Sequence, residues 1–425
     1  MSRAALALLS LVFVASESPL RVVSDLKTAG AAGFAFFEID AIGYLLAANF
    51  WDGLSGDMGA DNVLYAIDDD GGEITEVGAP LRFREVQRIR GKGSHGADAF
   101  STPACQHYVT IPMYYECGGG DVRGRVAEDA ECRSTGVYRF SRERARLVEA
   151  QRLATSGPAA TGHFTSPTDG FIYIVVGENF ADEISFWRLV RSSGGAERFE
   201  RAGQVACAGA GAMAVFVAQG AIFLAAASYH DPSTGWSVRS RLFVSSSSPP
   251  SAADLQFELI AHLSGFGAHG AEVLFDKDSG SYLLFFAEDR GPQGPHVNSS
   301  VWAINLDRET AATTLHSSIP SDGAHGASLF TGPDGATYIF CANFGDRLGN
   351  RVDSLSQLWR RRKNGSKVWD LVESVRSHGA TDSEHFVWKG RHFLALANEG
   401  NIGKRLHQKS VIYELAVDTG GARDL

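Results

Sequence analysis

The sequence predicts an all-β protein, a seven-bladed β-propeller of four-stranded blades, and three observations carry that prediction. The first is a pattern that occurs seven times: a Gly/Ala-rich lead, a short apolar run, a tight turn, then an aromatic followed by aliphatics and a polar stop. The second is its period. The aromatic anchors Tyr44, Tyr108, Tyr173, Phe223, Tyr282, Tyr338 and Phe393 are spaced by 64, 65, 50, 59, 56 and 55 residues, the size of one four-stranded blade. The third is local: Asp169-Gly170, Ser279-Gly280, Asp334-Gly335 and Lys389-Gly390 stand between paired apolar runs, where hairpin turns need positive φ.

Each unit reads as four strands. The innermost two are the run that follows the lead, as in His269-Gly270-Ala271-Glu272-Val273-Leu274, and the run begun by the aromatic anchor. A third strand follows a longer loop, as at Val63-Leu64-Tyr65, Phe186-Trp187-Arg188-Leu189 and Val301-Trp302-Ala303-Ile304. A more polar fourth run, such as Phe83 to Ile89, suits an outer edge. Ser141 to Leu153 has helical propensity but occupies this outer slot, so Leu147 to Leu153 is read as strand. The seventh unit lacks a fourth run after Val411 to Leu415. Leu20 to Leu26 is therefore expected to complete it and close the ring.

Composition sets wider bounds. With 44% hydrophobic and 10% aromatic residues the chain has material for a large core, which excludes wholesale disorder. Lys and Arg total 39 against 49 Asp and Glu, for a net charge of −10, so no electrostatic footprint for nucleic acid is present. Met1 to Ala15 is apolar after Arg3 and too short to cross a bilayer. It reads as a signal peptide spanning residues 1–16, which implies a secreted chain with no membrane span after cleavage. One propeller at 20–418 and a short tail at 419–425 follow. The five cysteines show no C-x-x-C spacing, so zinc is not supported. Cys117 and Cys132 flank a Gly-rich loop and are the expected disulfide, whereas Cys207 and Cys341 lie in apolar runs and are expected as buried thiols. Asn298 and Asn364 head glycosylation sequons in loops.

The seventh unit also carries a resemblance. Gly379-Ala380-Thr381-Asp382-Ser383-Glu384-His385-Phe386, followed by His392-Phe393-Leu394-Ala395-Leu396-Ala397-Asn398, is similar to the EPTP or epilepsy-associated (EAR) repeat, as are the Ala-Asn-Phe endings at Asn49 and Asn343 and the edge strands holding Gln87 and Gln151. That family, which includes the leucine-rich glioma-inactivated proteins, consists of extracellular seven-bladed propellers used for protein recognition. The resemblance implies a Asp-x-Glu pair facing the channel and able to hold calcium. Only Asp382 and Glu384 match both positions, and Asp98 and Glu272 could extend a carboxylate ring. The His-Gly found in several units is not part of that pattern.

Candidate binding residues come from the leads. His95, His269, His325 and His378 each stand before Gly-Ala, at the start of an innermost strand, where side chains ring the channel mouth. Imidazoles beside carboxylates suit a metal, a glycan or acid–base chemistry. The alternative, taken here as the expectation, is that each histidine locks its own turn through a backbone hydrogen bond and the side chains do not meet. In that picture only the consecutive His269, His325 and His378 could share a ligand. The polar stops Asn49 with Asp52, Glu178 with Asp182, Glu288 with Asp289, and Asn343 with Asp346 read as turn caps, and Asp68-Asp69-Asp70-Gly71 as a solvated turn. There is no G-x-S-x-G, no phosphate-cradling G-x-x-x-x-G-K and no H-E-x-x-H. The resulting expectation is a secreted recognition module for an extracellular protein or glycan, with calcium as the one candidate cofactor, no catalytic residue assigned and the oligomeric state open. A propeller lyase or hydrolase acting on polysaccharide through the histidines is the alternative.

Overall fold

The computed structural model describes residues 18–50, 60–68, 79–91, 93–114, 134–230, 235–246, 255–263, 265–292, 294–306, 311–345, 353–363, 365–400 and 409–416. Their strands form seven four-stranded antiparallel sheets arranged as the blades of a β-propeller. Blade 1 shows the plan: Ala31–Ile39, Ile42–Asn49, Asn62–Asp68 and Arg82–Ile89 run in order from the channel outward. Arg146–Ala154 is the outer strand of blade 2, so tertiary pairing overrides the local helical propensity of that stretch.

Why these residues form blades is visible in the register. In every blade the aromatic anchor stands directly opposite an aromatic on the innermost strand: Phe37 and Tyr44, Phe100 and Tyr108, Phe164 and Tyr173, Phe216 and Phe223, Phe275 and Tyr282, Phe330 and Tyr338, Phe386 and Phe393. Ring centroids in these pairs lie 5.0 to 5.7 Å apart. Each such cross-strand pair contributes about 0.5–1.5 kcal/mol beyond simple burial. The second and third strands are apolar on both faces because each sheet is sandwiched between two others, and Leu45, Ile174, Leu224, Leu284, Ile339 and Leu394 are wholly buried. The outer strands are tied across blades by glutamines. Gln87 donates to the Leu147 carbonyl at 2.9 Å and accepts from the Leu147 amide, and Gln151 does the same with Phe199.

The ring closes as the sequence suggests. Leu20–Leu26 pairs antiparallel with Ser410–Leu415 and forms the outer strand of blade 7. Cys207 and Cys341 are buried free thiols and Cys105 is an exposed one, while Cys117, Cys132, Asn364, Asp52, Asp346, Asp69, Asp70 and residues 1–17 lie outside the described residues. Asn298 is described and exposed. Closure makes a prediction. Leu20, Val23 and Leu26 are buried, and at about 1.5–3 kcal/mol each their removal matches much of a typical 5–15 kcal/mol stability. A chain starting after residue 26 is expected to melt at least 10 °C lower (~) than the parent by circular dichroism, and an unchanged melting temperature would show that this strand does not close the ring.

Candidate functional site

One glycine per blade sets the geometry of the channel mouth. Gly30, Gly93, Gly157, Gly209, Gly267, Gly323 and Gly379 all adopt φ between 51° and 63°, the left-handed region that other residues enter at a cost. Each offers its carbonyl to the amide of the residue just after the second strand: Phe50, Tyr114, Asn179, Tyr229, Asp289, Phe344 and Glu399, at 2.8 to 3.1 Å. A side chain at Gly323 would place its Cβ 2.3 Å from the Gly345 carbonyl oxygen, so the position is closed sterically as well. The polar stops complete the same corner. Side-chain oxygens of Asn49, Glu178, Glu288, Asn343 and Asn398 accept the amides of Ala29, Ser156, Phe266, Asp322 and His378. Asp182 accepts from the Gly209 amide at 2.9 Å. These groups are therefore turn locks.

Counting from that glycine, the residue two positions on lies at the mouth: Ala32, His95, Ala159, Gly211, His269, His325 and Thr381. Three imidazoles thus arrive at one place. The His269 and His325 rings stack with centroids 3.4 Å apart, and His95 lies 5.3 Å from His269 and 6.0 Å from His325. Alanine and glycine in blades 1, 3 and 4 leave the space the three rings occupy. His325 Nδ1 donates to the Thr381 carbonyl of the next blade at 3.0 Å, which in the neutral ring leaves the lone pair on Nε2. Aromatic side chains surround the group: Phe50 and Tyr114 against His95, Tyr229 against His269, Phe344 against His325, and Trp236 against Tyr229.

The expectation that the histidines lock their own turns and stay apart is overturned. The glycine carbonyls and polar stops do the locking, and His325 bonds to a different blade. The expected trio is also corrected. His378 precedes the positive-φ glycine instead of following it by two, so its ring sits away from the other three and Nδ1 pairs with Asp353 at 2.6 Å. The equivalent residue in blade 7 is Thr381.

Below the imidazoles lies a cavity of about 240 Å³. Asp98, Glu272, Asp382 and Glu384 line it, one to three residues further along the innermost strands, a depth of roughly 3–10 Å. Asp382 accepts backbone amides from Ser383 and Phe34, and Glu384 from Phe36, so both bind blade 7 to blade 1. Asp98 is paired with His163 Nδ1 at 2.8 Å. Glu272 has no such partner among the described residues. Burial pushes the Asp382 carboxyl up to about 7; burial and then the charge of Asp382 take Glu384 to about 8. Glu272 is raised well above the usual carboxylate range by burial first and by Asp382 and Glu384 second. Among the described residues, no three His, Cys, Asp or Glu side chains are placed to hold one metal ion.

No protein-family model matches the sequence, and no curated protein matches it either. Solved structures do. A proposed 6-phosphogluconolactonase from Bacteroides fragilis NCTC 9343 superimposes with a TM-score of 0.52 at 13% identity, over 85% of this chain and 88% of the other. A second, from Bacteroides uniformis ATCC 8492, gives 0.52 at 14% identity over 84% and 89%. At these identities the likeness is one of fold.

The carboxyl cluster gives a stability signature opposite to the common acid-denaturation pattern. Carboxyls that titrate near 4 when unfolded and near 7 to 8 when folded hold more protons in the native state between those values, so stability falls as pH rises through that window. The melting temperature is expected to drop by a few degrees (~) between pH 5 and 8.5, and Glu384→Gln, which keeps an acceptor for Phe36, to flatten that slope. A melting temperature that rises across the window would contradict the assignment.

Proposed function

We propose that this propeller is an enzyme of the hydrolase or lyase class that works on a saccharide at the histidine end of its channel. The convergence of His95, His269 and His325 from three separate blades onto one point above protonatable carboxyls supports this reading. A protein-docking face has no need to bring three imidazoles together on the axis. His325, its tautomer fixed by the Thr381 carbonyl, would act as base through Nε2 once the stacked His269 ring moves aside to open that buried nitrogen to the channel. A carboxyl held at about 7 or 8 keeps its proton at neutral pH and would serve as the acid. In a hydrolysis the water proton passes to His325 while a carboxyl proton passes to the leaving oxygen, so charge balances within the site. The aromatic rings around the imidazoles suit the apolar faces of a sugar, and the carboxyls its hydroxyl groups.

One observation favours the second reading, a recognition module for an extracellular protein. Phe180 is 43% exposed and packs on Tyr114, 4.8 Å between centroids, so an aromatic side chain projects beside the same mouth. Secretion, implied by the apolar run from Met1 to Ala15, is part of both readings. So is kinship with EPTP/EAR propellers, whose motif residues here form the two inner strands of blade 7.

Turnover separates the two. Reducing-end or unsaturated-product release from a panel of neutral, acidic and amino polysaccharides is expected with the wild-type chain, and His325→Ala is expected to lower kcat/KM by about 10²–10⁴. His378→Ala, which touches none of the three rings, should retain activity. No turnover on any member of the panel, with binding of an extracellular protein instead, would move the conclusion to the recognition module.

A further inference from the structure

We infer that the mouth of the channel is open on one side only, above blades 2 to 4, and that this open sector is a cleft for the end of a saccharide chain, so that cleavage falls at a chain end and not in its interior. The inference rests on the proposed reading of the histidine end as a saccharide site, and it adds the route by which the chain enters and the bond that is reached.

Seven equivalent positions close the rim. Each is the residue just after the second strand, held by the carbonyl of the lead glycine. Four of them are covered: Phe50, Asp289, Phe344 and Glu399 are between 1% and 6% exposed. The other three, Tyr114, Asn179 and Tyr229, are only half-buried, and they belong to consecutive blades. Phe180 beside them is 43% exposed. The connections that begin at these positions differ in length. Blade 3 passes from its second strand to its third through residues 179–182 alone, whereas the same connection takes 50–61 in blade 1, 289–298 in blade 5, 344–352 in blade 6 and 399–409 in blade 7. Blade 3 therefore has the least chain with which to cover the mouth.

The sides and floor of the open sector suit a sugar. Phe180 lies over the lead glycine of blade 3, where a Cβ on Gly157 would strike its ring, and it packs on Tyr114 with centroids 4.8 Å apart. Trp236 lies over the lead glycine of blade 5, 3.4 Å from where a Cβ on Gly267 would stand, and packs on Tyr229 at 4.9 Å. Between these two aromatic walls stands blade 4, whose residue at the mouth is Gly211. Asn179 accepts the Tyr114 hydroxyl through Oδ1 at 3.2 Å, and its amide nitrogen donates to no described residue, which leaves N–H donors for sugar hydroxyls. A pyranose ring needs this combination, with its carbon-bound hydrogens against the aromatic faces and its hydroxyls to an oriented polar group. Tyr114 and Tyr229 reach His95 and His269 at 5.5 and 4.6 Å, so the cleft leads directly to the imidazoles. On the far side, buried Phe50 and Phe344 back His95 and His325. A chain that crossed the mouth would need an exit there, and the rim on that side is covered. The chain therefore ends at the histidines.

The test uses the full chain with laminarin, polygalacturonate and chitosan, following products by mass spectrometry while viscosity is recorded. On whichever polymer is turned over, single sugar units or disaccharides are expected from the first time point, with little loss of viscosity. Phe180→Ala and Trp236→Ala are each expected to raise KM about 5- to 10-fold with a much smaller change in kcat, the effect of losing one stacking contact. Asn179→Asp, which keeps the acceptor for Tyr114 and removes the donors, is expected to raise KM as well. Phe180 is the most exposed of the three, so its variant is expected to melt with the parent. A ladder of medium-length products with an early fall in viscosity would overturn the inference, because it means that a chain crosses the mouth, and so would a KM unchanged in all three variants. Either result, with turnover still dependent on His325, leaves the proposed function standing. If no polymer is turned over, the same three are cast into native gels. Retardation of the parent that Phe180→Ala and Trp236→Ala lose keeps the cleft and removes the enzyme, and no retardation in any gel overturns both readings.

Discussion

The carbonyl of one left-handed glycine, bonded to the amide that follows the second strand, is the constraint on which the remaining architecture depends. It occurs in all seven blades within a narrow range of φ and distance. By fixing where each innermost strand begins, it fixes which residue reaches the axis and which lies one, two or three steps deeper. Alanine there would carry both the cost of left-handed backbone and a clash with a carbonyl oxygen at positions such as Gly323 and Gly209. The bond leaves nothing for the histidines to do in the turn. They are free to meet.

A ring of parallel innermost strands must also be held together at its narrowest radius, where side chains crowd and few apolar groups fit. Here the fastening is polar and runs from blade to blade. Ser328 donates to the Ser383 carbonyl, Thr381 to the Ala31 carbonyl, and Thr110 to the Thr161 hydroxyl. Asp382 and Glu384 take amides of blade 1. The fastening between blades 7 and 1 therefore uses carboxyls that repel each other and resist ionisation, and Glu272 of blade 5 adds to that repulsion with no hydrogen bond from a described residue in return. At the position of blade 6 that matches Glu384, the neutral hydroxyl of Ser328 makes a blade-to-blade bond without any charge.

Much of the fold was legible because it depends on periodicities that survive divergence. Alternating apolar runs, aromatic anchors at a regular spacing and glycine-bearing turns gave seven blades and the closing strand Leu20–Leu26, and cross-strand pairs such as Phe37 with Tyr44 explain why the anchors recur. The site was legible only in its residue types. Reading His-Gly as the repeated unit placed His378 beside His325, whereas the structure aligns the blades on the glycine two residues before the mouth. In three leads that glycine and the one after the histidine are both present, Gly93 with Gly96, Gly267 with Gly270 and Gly323 with Gly326. In blade 7 the Gly after His378 is the left-handed one. A comparison of all seven leads on their first glycine would have found Thr381 in register with the histidines. The distance across the channel was the other obstacle. His95 comes from blade 2 and His269 from blade 5, and sequence separation gives no measure of how far two long side chains reach inward when their neighbours at Ala32, Ala159 and Gly211 stay small.

Symmetry supplies the last step. What is the same in every blade, the left-handed glycine, the carbonyl bond and the aromatic pair, is what any seven-bladed ring needs in order to close. What differs between blades is concentrated at one radius and one depth: imidazoles in blades 2, 5 and 6, small residues in blades 1, 3 and 4, and carboxyls in blades 5 and 7 just beneath. A ring optimised for stability alone has no reason to break its symmetry there. Departures that gather three imidazoles and several carboxyls around a single void make the inner channel, not the outer strands, the part of the ring where the blades are individual.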